Sequence, residues 1–139
     1  MVVVEMVFAG NGGLDQLVDQ VAEGLEDVLY RHAIAWDGAY PITLRESFRL
    51  GLQQQILGAH ACPPVFGRRH EYRMLLQLPD GGLRAWTALM ANRILAGCRE
   101  DDAPEGSLLR QELQRCLVDR LGPCLERPER PQMASGSVV

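Results

Sequence analysis

Residues 83–97 (Leu-Arg-Ala-Trp-Thr-Ala-Leu-Met-Ala-Asn-Arg-Ile-Leu-Ala-Gly) are apolar around most of a helical circumference. A helix of that kind lies inside a protein, and in a short chain other helices must wrap around it. At 139 residues the chain is long enough to bury the core of one domain and too short for two ordinary ones. The apolar runs fall short of the roughly 18 to 20 residues that a membrane span needs, so no integral membrane anchor is expected. The apolar start, residues 1–9, carries Glu5 and no cationic leader. It reads poorly as a signal peptide, which makes cytoplasmic residence the default.

Charge is unevenly distributed. Residues 1–30 hold six acids and no base, whereas residues 31–99 hold nine arginines against four acids. An acidic first helix facing a basic middle follows from that asymmetry. All fourteen basic residues are arginine, which excludes Schiff-base lysine chemistry and the phosphate-loop lysine. The net charge of -4 argues against a nucleic-acid partner, because such binding is driven by clustered bases that neutralise phosphates. Cys62, Cys98, Cys116 and Cys124 stand 36, 18 and 8 positions apart. No zinc-ribbon pair results, and four reduced thiols are the expected state. His60-Ala-Cys62 offers two metal ligands, but a tetrahedral site needs two more from distant segments, so neither a metal nor a cofactor is expected.

Periodicity organises the rest. Leu14, Leu17, Val18, Val21, Leu25, Val28 and Leu29 predict an amphipathic helix from 14 to about 34. Its polar face carries Asp15, Asp19 and Glu23, which repel one another unless arginines elsewhere neutralise them. Residues 37–41 read as a loop. Thr43-Leu-Arg-Glu46 fits a capping box that opens a second helix, and Leu44, Phe48, Leu52 and Ile56 continue that helix at spacing four until it ends before Pro63-Pro64. Residues 2–9 suit a strand by composition, with helix also open. Between Glu71 and Leu78 the templates conflict, since Tyr72, Met74, Leu76 and Leu78 alternate as in a strand while Tyr72, Leu75 and Leu76 share a helical face. Two strands alone make a poor sheet, so helix is expected on both sides of the Pro79-Asp-Gly-Gly82 turn. After a polar connector at 99–106, Ser107 caps a last helix that Pro123 ends or bends. Residues 127–139 are polar and Pro-rich, and are expected to be disordered. The predicted architecture is all-α, a compact helical bundle around a central apolar helix, with one helical domain over 1–126.

No catalytic signature stands out. Gly10-Asn-Gly-Gly13 before a helix is a weak phosphate-turn signal, because acids follow it. Phe66-Gly-Arg-Arg-His70 with Arg73 is the densest cationic patch and could grip a carboxylate or pair internally. His32, His60 and His70 have no nucleophile at a signature spacing. The sharper candidate is a trough beside the apolar helix, lined by Phe48, Leu52, Phe66, Tyr72, Leu75, Trp86, Leu89 and Met90, which would accept an amphipathic partner helix.

The segment from Asp80-Gly81 through Trp86-Thr-Ala-Leu-Met-Ala91 to Ala96-Gly97 resembles the first homology region of the Bcl-two family of apoptosis regulators. Leu117-Val-Asp-Arg-Leu-Gly-Pro-Cys-Leu125 is similar to that family's final-helix segment. Thr87-Ala88 stands where the family has glycine and arginine, and Cys124 where it has a second tryptophan. The resemblance implies a Bcl-like bundle, in the form of a virus-encoded, anti-apoptotic survival protein acting in the host. Its groove would sequester the amphipathic BH-three helix of pro-apoptotic proteins, with Arg84 or Arg93 meeting the ligand aspartate. It also implies peripheral attachment at mitochondria and leaves a homodimer open. Two other readings remain: a small acidic α+β chaperone or adaptor, often dimeric, with residues 1–9 as a strand and 71–90 as a hairpin, and an enzyme using His60 and Cys62.

Overall fold

A computed structural model of the chain describes residues 1–36, 43–67, 69–98 and 106–126, with only the backbone at 106 and 107. The chain folds as α+β, not as an all-α bundle. Three strands, β1 (Val2–Ala9), β2 (Ile56–Cys62) and β3 (Glu71–Leu78), form an antiparallel sheet in the order β1-β3-β2. The helices among the described residues are α1 (Gly13–Arg31), α2 (Leu44–Gln53), α3 (Gly82–Ala96) and α4 (Gly106–Leu121), followed by a 3₁₀ turn at Gly122–Cys124. The disordered tail expected at 127–139 and the loops expected at 37–41 and 99–105 lie outside the described residues.

Alternation decides the sheet. Met74, Leu76 and Leu78 are buried on one face of β3, with Tyr72 half-buried in the same row, while Leu75 is 42% exposed on the other face. The helical reading of 71–78 is therefore corrected: the period is two. Two strands would indeed have been too few, but β1 supplies a third, pairing from Val2 with Leu78 through Ala9 with Glu71. Met6 is fully buried opposite Met74. The helix expected to run on toward Pro63-Pro64 stops at Gln53, and Ile56 opens β2 instead. Gly81 and Gly82, at φ 95° and 67°, take backbone that an L side chain rarely adopts. They turn the chain out of β3 directly into α3, so residues 71–90 are strand then helix, not a hairpin.

The helices stand on one face of the sheet. α3 packs against β1 and β3 and α1 against β3, α4 packs across α1 and α3, and α2 touches both of those helices as well. The charge asymmetry of the sequence is realised here: Arg45 pairs with Asp19, and Arg49 with Asp15, so the basic α2 neutralises the acidic stripe of α1. Thr43 caps α2, its Oγ1 accepting from the Glu46 N–H at 3.1 Å. α3 is not a fully sheathed rod. Leu83, Trp86, Met90, Ala91 and Ile94 are buried, but Arg84, Leu89, Asn92 and Ala96 face outward.

Phe48 has no exposed surface and tilts against Trp86 at a ring separation of 6.3 Å. Leu89 is 59% exposed. Phe48→Ala is expected to cost about 3 to 5 kcal/mol of stability, and Leu89→Ala under about 0.5. Urea denaturation of both variants checks the pair, and equal losses would contradict the placement of α3.

Candidate functional site

The residues expected to line a trough do not converge on one surface. Phe48, Leu52, Trp86 and Met90 are core side chains. Tyr72 lies on the helix-facing side of β3, its ring 5.4 Å from that of Phe8, whereas Leu75 is on the opposite face of the sheet. Leu89 and Arg84 are exposed on the outside of α3, Arg93 is half-buried, and Phe66 projects fully into solvent from the β2–β3 connection. The structure brings together Phe48, Leu52, Trp86 and Met90, and it brings them together as core.

The weak phosphate-turn signal also has a structural answer. The N–H of Gly12, the donor an anion would use, is taken by the side-chain oxygen of Gln16 at 3.1 Å. Among the described residues no group of three or more His, Cys, Asp or Glu is placed to hold a metal ion. Arg73, counted in the cationic patch, pairs internally with Glu5 at 2.7 Å and Glu71 at 3.4 Å. Arg69 and His70 are exposed.

What sequence reasoning missed is the edge of the sheet. β2 has β3 on one side, and no described strand on the other. The backbone groups facing that free side can be identified. Antiparallel pairing sends the N–H and C=O of alternate residues to opposite neighbours. Gly10 donates its N–H to the His70 carbonyl at 2.9 Å, and Gln77 donates its N–H to the Gln55 carbonyl at 2.8 Å. Even-numbered residues of β3 thus bond to β1, and odd-numbered ones to β2. In β2, whose His60 faces Arg73 and whose Cys62 faces Glu71, His60 and Cys62 bond inward. Ala59 and Ala61, opposite Met74 and Tyr72, direct their N–H and C=O to the open edge. The ladder is interrupted between Ile56 and Gly58, where Leu57 is the extra residue.

β1 is the other edge, and it is partly closed. Leu125 bridges to Met6, and the Glu126 N–H donates to the Glu5 carbonyl at 2.8 Å. By comparison, no described residue is laid along the free side of β2. All residues from Leu57 to Ala61 are exposed, including Ala59 and Ala61 on the helix-facing side. Apolar side chains flank the strand at both ends: Leu57 at 55% exposed, and Val65 at 60% beside Phe66. Residues 56–67 contain no Asp, Glu, Lys or Arg. The signal lay in that uncharged run, which contains Pro63-Pro64, whereas by residue type His60 and Cys62 point to ligands or nucleophiles.

A separate polar cleft lies between α1 and α4, lined by Asp27, Arg31, Glu112, Arg115, Asp119 and Arg120 around Cys116 and Gly24. A methyl group at Gly24 would stand 2.8 Å from the Cys116 sulfur, so glycine here lets the two helices approach. Burial pushes the Cys116 and Cys124 thiols up. At the cleft's margin the hydrogen bond from His32 holds the Glu112 carboxyl below its ordinary value.

No family model matches the chain, and no curated protein and no solved structure matches it significantly. No helix among the described residues is long and apolar enough to cross a membrane.

Because its folded pKa is depressed, Glu112 stabilises the fold above the ordinary carboxylate value of 4.5. That contribution disappears as pH falls through the folded value. Glu112→Gln is therefore expected to be less stable than the parent at pH 6, with the gap closing as pH falls below 4.5, by thermal unfolding across that range. A gap of constant size would contradict the pairing.

Proposed function

We propose that this protein is a small α+β adaptor, a binding module rather than an enzyme, that holds an extended polypeptide strand along the free edge of β2. The Bcl-two resemblance implied a groove for a BH-three helix, and that groove presupposes an all-α bundle. The chain has a three-stranded sheet in its place, so the mixed α+β reading is the one carried forward. The single observation behind it is β2 itself: an uncharged edge strand, exposed on both faces, with outward amides at Ala59 and Ala61.

Natural sheets protect such edges with lysine, proline, inward-pointing charge or a covering segment, since an unpaired row of donors and acceptors recruits another strand. β2 has a bulge at Leu57 and otherwise none of these along Ala59–Cys62 among the described residues. An added strand would gain its affinity from main-chain hydrogen bonds and its selectivity from side-chain contacts at alternate positions. Leu57, Val65 and Phe66 supply the apolar part of those contacts, and Arg69 and His70 favour an acid beyond them.

A displayed library of random peptides, selected on the full chain and counter-selected on Ala61→Pro, tests this. Proline at 61 removes an N–H that points away from β3, so it blocks the edge and spares the internal ladder. Expected winners are extended, alternating sequences that bind the parent at least tenfold more tightly than the variant. Winners indifferent to Ala61→Pro, or a BH-three peptide bound in a Leu89-dependent manner, would contradict the proposal.

A further inference from the structure

The edge-binding reading leaves its occupant open, and resting on that reading we infer that the occupant is β2 of a second copy of this chain. The two strands pair antiparallel about a two-fold axis through His60, joining two three-stranded sheets into one of six.

The backbone favours this register. Ala59 and Ala61 are the outward-facing residues of the regular part of β2, two positions apart. With the axis at His60, Ala59 of each copy lies opposite Ala61 of the other, and both hydrogen-bonded pairs form. An axis at Ala59 or at Ala61 leaves one such pair, and an axis nearer Ile56 runs into the bulge at Leu57. On the helix-facing side the residues that meet are alanines, so no bulky side chain opposes close approach there, and on the outer side His60 lies opposite His60 of the other copy.

The side chains are self-complementary, as a two-fold interface requires. Leu57 sits at one end of the strand, and Val65 with Phe66 follows the other end. With the axis at His60, Leu57 of each copy lies opposite Pro63 of its partner, at the end of the strand from which Val65 and Phe66 follow, so the exposed apolar groups of the two copies gather at the same ends of the interface. The whole of 56–67 is free of formal charge, which matters for two chains that each carry -4 and repel elsewhere. α1 and α3 stand over β1 and β3 while Ala59 and Ala61 are exposed on that same side, so the helical layers of the two copies need not collide. Strand and loop together offer on the order of 1,000 Å² in total, the size at which specific interfaces begin. A micromolar dimer is the corresponding strength.

Sedimentation equilibrium of the full chain, the parent beside Ala61→Pro and Leu57→Asp, reads the association directly. The parent is expected to sediment as two chains at high micromolar concentration, and each variant to dimerise at least tenfold more weakly with unchanged circular dichroism. Leu57→Asp alters an exposed side chain, so it carries the test if Ala61→Pro unfolds. Register is read by mild oxidation: in a Cys62→Ser background, His60→Cys should form a disulfide-linked dimer, and Leu57→Cys should not. A dimer indifferent to both variants, or one cross-linked through position 57 and not 60, overturns this interface. A parent that stays a single chain while selected peptides still bind its edge overturns the second copy as occupant and leaves the adaptor reading standing. A single chain that also binds no peptide removes both.

Discussion

β3 is the centre strand, its backbone groups directed alternately to β1 and to β2, and from that constraint the rest of the molecule follows. A centre strand must be satisfied on both sides, because a buried unpaired amide costs free energy comparable to a lost hydrogen bond. The commitment fixes which face of each strand meets the helices. It buries Met6, Met74, Leu76 and Leu78 and puts Leu75 outside. It also fixes which amides of β2 look outward, and those are the groups with which another strand can bond.

The two edges of the sheet differ in how they are finished. After α4 the chain turns through Gly122–Cys124 and lays Leu125 and Glu126 along β1. β2 receives no such strip from the described residues, and no bulky apolar side chain of the regular strand faces the helices: Ala59 and Ala61 occupy those positions. Small side chains make that bareness cheap in the isolated chain, since little apolar area is left in water. The larger apolar side chains, Leu57, Val65 and Phe66, are instead collected at the strand's ends.

The helices were largely legible in the sequence. The spacing of Leu17, Val21, Leu25 and Val28, the Thr43 cap and the acid–arginine asymmetry led to α1, to the start of α2 and to their ion pairs. α3 was legible as a helix, but its composition overstated its burial: Leu89 and Ala96 are apolar and outward, which hydropathy alone does not reveal. The sheet was legible only in part: residues 2–9 suited a strand by composition, and β1 is there. Residues 71–78 satisfied both periods locally, and the decision turned on how many strands were available, a question of tertiary structure that no window can answer. Ile56 prolonged the spacing-four line of α2, so β2 was absorbed into a helix that in fact ends three residues earlier. With β2 hidden, the edge was hidden too, and the apolar residues of core and surface were merged into one imagined trough.

Residue-resolved hydrogen exchange of the full chain at low concentration tests the central claim most directly, because it reads the direction of each amide in β2. If β2 is a free edge whose even-numbered residues bond to β3, the amides of His60 and Cys62 are protected and those of Ala59 and Ala61 exchange quickly, gaining protection as concentration rises. Protection at Ala59 and Ala61 that is already complete at the lowest concentration, or the opposite alternation, would contradict the account.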